Sequence, residues 1–295
     1  MESPEISSNL NYSSKRFKLG FIVNPIAGMG GRVGLKGTDG VVKKALMLGA
    51  KPISPTKAKV FLEKLRKHIF NVNIEVITCP GEMGELEAAS TGLKAKILPL
   101  PPRKETTAED TKTAVKLMMQ LGVDLIVFVG GDGTARDVLD ALEKRNIPVL
   151  GIPSGVKMYS GVFSVNPEEA AEVVLAYVRG EAEVEDLEVM DVDEDAFRDD
   201  KLSVKLYGYV KGPYLPLKVQ PSKQVTPGTL DERSNQMAIA RYIVENMNPK
   251  ATYILCPGTT VKCVADMLRV EKTLLGVDIY RNGSIIRDVN EERIL

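Results

Sequence analysis

The chain has 295 residues, of which 44% are hydrophobic and 26% charged, and its 39 Lys and Arg residues balance 39 Asp and Glu residues. This composition is typical of a folded globular protein with one large domain or two ordinary ones, and the zero net charge argues against binding nucleic acid or an anionic membrane through bulk charge. His68 is the only histidine, and this scarcity excludes Ser-His-Asp and Cys-His catalysis unless that single residue serves. The three widely spaced cysteines argue against a zinc site or a disulfide framework.

The N-terminal stretch MESPEISSNLNYSSKRF, residues 1–17, is polar and has no apolar signal core, so we expect a flexible lead-in. No apolar run in the sequence reaches the roughly 18–20 residues needed to cross a bilayer. The sequence therefore predicts a soluble, cytoplasmic protein with reduced thiols.

Up to about residue 180, short apolar runs alternate with helical patterns. The first run, KLGFIVNP at residues 18–25, predicts a strand that stops at Asn-Pro, and the loop after it is rich in glycine, at positions 28, 30, 31, 34, 37 and 40. A helix is predicted next in SPTKAKVFLEKLRKHIF, with Ser54 as its N-cap and a proline at the following position. VNIEVITCPG alternates like a strand and ends at Pro-Gly.

AKILPLPP is another short apolar run, and TTAEDTKTAVKLMMQLGV combines helical periodicity with a capping pattern from Thr107 to Asp110. DLIVFVGGDGTARDVLDAL, residues 124–142, predicts a buried strand that runs into four small or acidic residues and then a helix, and IPVLGIPSG is a strand with a second glycine-rich end. NPEEAAEVVLAYVRG predicts a helix with proline at its start and Gly180 at its end.

This order predicts an α/β fold in which a Rossmann-like parallel-sheet domain, residues 18–182, binds a nucleotide. Residues 183–295 read instead as short strands joined by Gly/Asn/Asp turns, with RNGS as a strong hairpin signal and one intervening helix in ERSNQMAIARYIVENM. We therefore expect a mostly β, β-sandwich-like second domain that binds the substrate.

Three strand ends carry glycine-rich turns: VNPIAGMGG, VGGDGTARD and IPSGVK. Backbone N–H groups exposed by glycine at the start of a helix form a cradle for phosphate, and an open parallel sheet gathers such ends along one edge. None of the turns is a Walker A motif or a Gly-x-Gly-x-x-Gly fingerprint. The alternative for GGDGT is an ordinary strand-to-helix turn with Asp132 as the helix cap, although a cap does not require the pair Gly130 and Gly131 ahead of it.

GGDGT at residues 130–134, preceded by an apolar strand, resembles the signature of the superfamily that contains NAD kinases, diacylglycerol kinases, sphingosine kinases and 6-phosphofructokinases. VNPIAG at residues 23–28 resembles the first phosphate-side loop of that superfamily. More narrowly, NPIAGMGGRVGLKGTDG, GIPSGVKMYSGVF, EVMDVDE and PGTT are similar to segments of the archaeal and bacterial ATP-NAD/AcoX-type kinases, over nearly the whole chain.

The resemblance implies an NAD kinase-like fold and transfer of a phosphoryl group from ATP, or from polyphosphate, to a hydroxyl group. For NAD kinases the acceptor is the 2′-hydroxyl of NAD, and the product is NADP. It also implies Asp132 as the general base, close enough to phosphate to help hold Mg²⁺, and homo-oligomers such as dimers or tetramers. The candidates for binding nucleotide or phosphate are Asn24, Gly28, Gly30, Gly31, Gly130, Gly131, Gly133, Thr134, Gly155 and Lys157.

Several of these residues have a second interpretation. Lys157 is a candidate cation near the phosphates or an ordinary exposed lysine. Asn24 and Arg136 are weaker candidates, because Asn before Pro is common in turns and Arg136 lies in a first helical turn. Asp39 and Asp191 could meet substrate or metal, and the alternative for each is a solvated loop carboxylate.

The sequence departs from ordinary NAD kinases in lacking their NAD-contacting Asn-Glu pair after the third glycine turn; the one Asn-Glu pair is Asn290-Glu291, close to the last residue. The ATP-NAD/AcoX-type kinases usually continue into a further glycine-rich segment, and this sequence stops before it. That is expected either of a shorter member of the branch or of a sequence from which a C-terminal piece is missing. A kinase for another small-molecule or lipid hydroxyl, or a nucleotide-binding regulator without turnover, therefore stands as the alternative.

Overall fold

The computed structural model describes residues 16–30, 42–69, 72–103, 105–143, 145–155, 158–192, 203–220, 230–274 and 276–295. The elements up to residue 178 are β1 (Phe17–Val23), α1 (Val42–Met47), α2 (Ser54–His68), β2 (Ile74–Thr78), a 3₁₀ turn (Gly81–Met83), α3 (Glu85–Ser90), β3 (Ala95–Ile97), α4 (Ala108–Gln120), β4 (Leu125–Gly130), α5 (Asp132–Leu142), β5 (Val149–Pro153) and α6 (Pro167–Val178). The later elements are β6 (Glu183–Val192), β7 (Val204–Tyr214), α7 (Leu230–Glu245), β8 (Tyr253–Leu255), α8 (Thr259–Met267), β9 (Asp278–Arg281), β10 (Ser284–Ile286) and α9 (Glu291–Ile294).

The first five strands form one parallel sheet in the order β3-β2-β1-β4-β5. Phe21 in β1 pairs with Thr78 on one side and with Val127 on the other. All six residues of β4 are buried, as expected for a strand of a parallel sheet covered on both faces. The strand order reverses between β1 and β4, and this reversal is the point where open α/β sheets bind their ligands.

Alternate residues of the central strands enter two cores, because neighbouring side chains on a strand point to opposite faces. On one face, Phe21 of β1 stacks on Phe61 of α2 with ring centroids 5.5 Å apart, in a core that also contains residues of α6. On the other face, Phe128 of β4 meets Phe163 edge to face at 5.6 Å, in a core shared with α4, α5 and the β6–β7 strands.

Strands β6 and β7 form one long antiparallel hairpin, where the sequence pattern predicted several short strands. Its pairing shifts register between Val189 and Met190, so that Tyr207 is the extra residue on β7. The hairpin lies close to the parallel sheet, because a Cβ atom at Gly212 would be 2.7 Å from the carbonyl oxygen of Val149.

The C-terminal residues form a second antiparallel sheet in the order β10-β9-β8, and α7 packs against α8. The β9–β10 turn is the predicted RNGS hairpin; Asn282 and Gly283 have φ of 49° and 77°, as a type I′ turn requires. The predicted α/β class is confirmed, with the N-terminal parallel sheet followed by small antiparallel sheets. Across the residues that the structure describes, no helix combines the length and apolar character needed to span a membrane.

Two helix starts were predicted from local patterns, with different outcomes. The capping box at α4 is confirmed, since Asp110 accepts the N–H of Thr107 at 2.9 Å. The prediction of Ser54 as the N-cap of α2 is wrong. Ser54 is the first helical residue, and its buried hydroxyl donates to the carbonyl of Ala27 at 3.0 Å, because this helix start packs against the loop after β1.

Candidate functional site

Three loops meet at the carboxyl edge of the parallel sheet. They are residues 24–30 after β1, the junction of β4 with α5 at Gly131, and the residues after β5 that begin with Ser154. Because β1 and β4 are neighbours at the reversal of strand order, their two loops flank the crevice expected there.

Asn24 joins the first two of these loops. Its backbone N–H donates to the carbonyl of Val129 at 3.0 Å, and its side-chain Nδ2 donates to Thr134 Oγ1 at 2.9 Å. Thr134 is buried in the first turn of α5. The structure thus brings together two residues that were predicted to bind phosphate from two separate motifs.

Gly28 joins the first loop to the third. Its φ is +77°, a conformation that favours glycine, and a Cβ atom there would lie 2.1 Å from the carbonyl oxygen of Ser154. Close packing within the chain therefore accounts for this glycine. At Gly155 a Cβ atom would meet, among the described residues, the flexible end of Met158 at 2.5 Å.

The paired glycines before Asp132 have different reasons to be glycine. A Cβ atom at Gly130 would lie 2.6 Å from Cβ of Thr134, so the fold itself leaves no room. At Gly131 the backbone is extended (φ −118°, ψ −170°), and among the described residues the nearest atom to a Cβ would be Met158 Cε at 3.9 Å. Neither strain nor described packing requires a glycine at 131.

Gly131 is the N-cap of α5, where unpaired backbone N–H groups and the helix dipole favour an anion. A residue without a side chain at this position lets a ligand approach the backbone closely. Gly133 lies in the first turn of the same helix. These features make the start of α5 the strongest candidate for a phosphate site.

Asp132 is the first residue of α5, and the alternative that it caps the helix is wrong, because Gly131 is the N-cap and no side chain caps this end. The carboxylate of Asp132 is held by the loop after β5. Oδ1 accepts the Ser160 hydroxyl at 2.6 Å and the Ser160 N–H at 2.9 Å, and Oδ2 accepts the Tyr159 N–H at 3.0 Å.

Tyr159 and Ser160 were missed by the sequence analysis. Both are buried, and burial, with a smaller contribution from the charge of Asp132, raises the pKa of the Tyr159 phenol, which therefore stays neutral at physiological pH. The available signal was their position in GIPSGVKMYSGVF, the segment after β5 that contains the predicted Gly155 and Lys157.

Arg136 and Asp191 form an ion pair with each other, which joins α5 to β6. The guanidinium carbon of Arg136 also lies 6.0 Å from the ring centroid of Tyr207. Asp191 belongs to a strand rather than to a solvated loop. The structure therefore gives both residues a partner outside the three loops.

The structure describes one of the remaining predicted residues and leaves the others outside the described ranges. Gly30 is buried in the loop after β1. Gly31, Lys157 and Asp39 lie outside the described residues, as does the N-terminal lead-in through residue 15.

The donor atoms at this edge suit a magnesium–phosphate group. Mg²⁺ is usually bound by one or two carboxylates together with substrate phosphate oxygens, and Asp132 supplies a carboxylate beside the open backbone of Gly131. Asp132 would hold the ion and the start of α5 the phosphate.

Comparisons with known proteins match this part of the chain. Residues 19–182 match the family model described as the ATP-NAD kinase N-terminal domain, which is more than half of the chain. A stretch of 123 residues is 30% identical to the NAD kinase of Pseudomonas putida (strain W619), which is 38% of this chain and 40% of that protein's length.

Similar solved structures are more distant. Two chains from Bacillus anthracis str. Sterne that carry the name diacylglycerol kinase align with 81% of this chain and 58% and 57% of their own, at 13% and 14% identity and TM-scores of 0.33 and 0.27. The UDP-GlcNAc 2-epimerase from Neisseria meningitidis aligns with 55% of this chain and 38% of its own, at 15% identity and a TM-score of 0.27. The family assignment therefore comes from the sequence matches alone.

Proposed function

The chain belongs to the family of the ATP-NAD kinase N-terminal domain, and from this premise we propose that it transfers a phosphoryl group from ATP to the 2′-hydroxyl of NAD. Polyphosphate is the second donor to be tested. The observation that carries the proposal is the start of α5, where the fixed carboxylate of Asp132 follows Gly131, a glycine that no described neighbour requires.

In the proposed reaction the start of α5 binds the donor phosphates. The N–H groups of the first helical turn point out of the helix, and the side-chain position at Gly131 is open to a ligand. The bond between Asn24 and Thr134 holds the loop after β1 against this turn. Such prearranged donors stabilise charge on a phosphoryl group without reorganising during the transfer.

Asp132 accepts the proton of the acceptor hydroxyl. Phosphoryl transfer passes through a loose transition state, so catalysis depends mainly on position and electrostatics. Hydrogen bonds from Tyr159 and Ser160 set the position of this carboxylate. Mg²⁺, when bound, would neutralise negative charge on the phosphates.

The choice of NAD as acceptor rests on the family and on the 30% identity to an NAD kinase over 123 residues. Because that match covers 40% of the relative's length, the acceptor needs a direct assay. The protein should be incubated with Mg-ATP or polyphosphate and a panel of acceptors, with NAD first, and the products identified by chromatography. Formation of NADP supports the proposal; consumption of another acceptor while NAD is untouched would overturn it.

Asp132→Asn should lower turnover by about a hundredfold or more, because it removes the proton acceptor, while ATP still binds. Asp137→Asn, the same chemical change five residues further along α5, is the matched control and should keep normal turnover. ATP binding by the wild type without turnover on any acceptor would identify a nucleotide-binding regulator instead.

A further inference from the structure

Ser160 lies between the carboxylate of Asp132 and strand β6. Its hydroxyl donates to Asp132 Oδ1 at 2.6 Å and accepts the backbone N–H of Met190 at 2.9 Å. Its own N–H donates to the same carboxylate oxygen at 2.9 Å. Only 1% of Ser160 is exposed, so water does not compete for these bonds.

A second link lies beside the first. Arg136, four residues after Asp132 on α5, pairs with Asp191, which follows Met190 in β6. Consecutive turns of α5 are therefore tied to consecutive residues of β6, and the first tie runs through Ser160.

The loop that carries Ser160 is itself held to β6, because the N–H of Gly161 donates to the carbonyl of Glu188 at 2.8 Å. The register shift of the hairpin also falls here, between Val189 and Met190. The extra residue, Tyr207, lies on β7, and a bulge disrupts the pairing of the two strands locally. Beside it on β6, the N–H of Met190 donates to Ser160.

We propose that Ser160 is a positioning residue, which transmits the location of the β6–β7 hairpin to the carboxylate of Asp132. The inference rests on the proposed function, in which that carboxylate receives the acceptor proton. Two donors from one buried residue, anchored in turn to β6, restrict the carboxylate to one orientation. Removing the hydroxyl breaks the side-chain link from Asp132 to Met190 and leaves the backbone bonds of the loop, including that from Gly161 to Glu188.

Ser160→Ala tests the proposal, with Ser164→Ala as its matched control. Ser164 is also fully buried, and its hydroxyl lies within hydrogen-bond distance of the carbonyl oxygens of Gly151, at 3.2 Å, and Asn166, at 3.0 Å, to either of which it can donate. Both variants lose one buried hydroxyl, and Ser160→Ala should cost more stability because it also leaves the N–H of Met190 without this acceptor. Thermal unfolding sets an assay temperature at which both remain folded.

With the phosphoryl donor and acceptor identified above, we expect kcat of Ser160→Ala to fall about tenfold to a hundredfold, with KM for both substrates within about threefold of wild type. Ser164→Ala should keep kcat within about twofold. Equal kcat values for the two variants would overturn the proposal, as would a loss that appears only in KM.

A second measurement does not depend on activity. The ¹H–¹⁵N spectrum at neutral pH follows the backbone N–H of Met190, which donates to the Ser160 hydroxyl. In Ser160→Ala this amide resonance should shift, because its acceptor is lost, and the carboxyl ¹³C resonance of Asp132, identified by its absence in Asp132→Asn, should shift as well. Ser164→Ala should leave both resonances unchanged. An unmoved Asp132 resonance in Ser160→Ala refutes the positioning role, even if no acceptor is phosphorylated.

Discussion

The side-chain nitrogen of Asn24 lies 2.9 Å from the hydroxyl oxygen of Thr134, although the two residues are 110 positions apart in sequence. This bond crosses the point where the strand order of the sheet reverses, and it connects the loop after β1 to the first turn of α5. This hydrogen bond thus holds the two predicted phosphate-binding segments against each other.

We expect Asn24→Ala to lower the free energy of unfolding by about 1–2 kcal/mol, because it leaves the buried hydroxyl of Thr134 without this donor. Thr134→Val removes the hydroxyl while keeping the shape of the side chain. A double-mutant cycle in urea should give a coupling energy of about 0.5–1.5 kcal/mol. Effects that add within about 0.3 kcal/mol would show that the bond contributes nothing to stability.

The two glycines before Asp132 should respond differently to the same substitution. Gly130→Ala places a methyl group 2.6 Å from Cβ of Thr134 and should cost about 1–3 kcal/mol of stability. Gly131→Ala has its nearest described neighbour at 3.9 Å and should cost less than about 1 kcal/mol.

The methyl group of Gly131→Ala should instead hinder phosphate, and raise the dissociation constant for ATP about tenfold or more. Denaturation and calorimetric titration measure the two quantities separately. Normal ATP affinity in Gly131→Ala would remove the ligand-based explanation for this glycine.

Gly28→Ala combines an unfavourable backbone conformation with a steric clash. At φ +77° an alanine is strained, and its Cβ would be 2.1 Å from the carbonyl oxygen of Ser154, so we expect a loss of about 3 kcal/mol or more. Gly180 has a similar φ of +74°, but no atom of the described residues lies within 4 Å of its Cβ position. Gly180→Ala should therefore cost only about 1–2 kcal/mol. Equal losses in thermal or urea unfolding would mean that the first and third loops do not pack closely.

Asp140 on α5 should make a small, pH-dependent contribution to stability. The hydrogen bond from Lys112, at 2.8 Å, and then the bond from Tyr207 lower the pKa of this carboxyl, against the opposing effect of partial burial. A lowered pKa stabilises the fold above the unfolded value of about 3.9, and this stabilisation is lost as the pH falls through the folded pKa.

Asp140→Asn should therefore cost at most about 1 kcal/mol at pH 7, since both side chains of the pair are partly exposed and solvent screens their interaction. The difference from wild type should shrink as the pH is lowered below about 4. Urea denaturation across this range provides the measurement, and a difference that stays constant down to about pH 2.5 would contradict the assignment.

The parallel sheet was predictable because its signals are local. β1 and β4 are buried apolar runs that stop at Asn-Pro or at glycine, and each of these stops lies at the same edge of the sheet. Asn24 and Thr134 were likewise each predicted as candidate phosphate-binding residues from the local motif that follows a strand. Their contact depends on the strand order, which no local pattern determines.

Other features were not predictable for the same reason. The partners of Ser160 are 28 and 30 residues away, and nothing in MYSG distinguishes it from a turn serine. Ser54 satisfies a local capping rule, yet its hydroxyl is used by Ala27, 27 residues earlier. Short strands were predicted after residue 182, and the length of the β6–β7 pairing, from Glu183 to Val192 on β6, depends on contacts between strands that no local pattern determines.

The strand order also affects how the chain is synthesised. β1 pairs with β4, whose start lies about a hundred residues later; Lys18 bonds to Asp124 across 106 positions. Synthesis adds roughly 5–20 residues per second, so β1 is made several seconds before β4, and its edge on that side stays unpaired for that time. During that interval the FIV segment of a central strand is open to chaperones or to misassociation, so slower translation of residues 24–124 should lengthen the period in which the nascent chain is vulnerable.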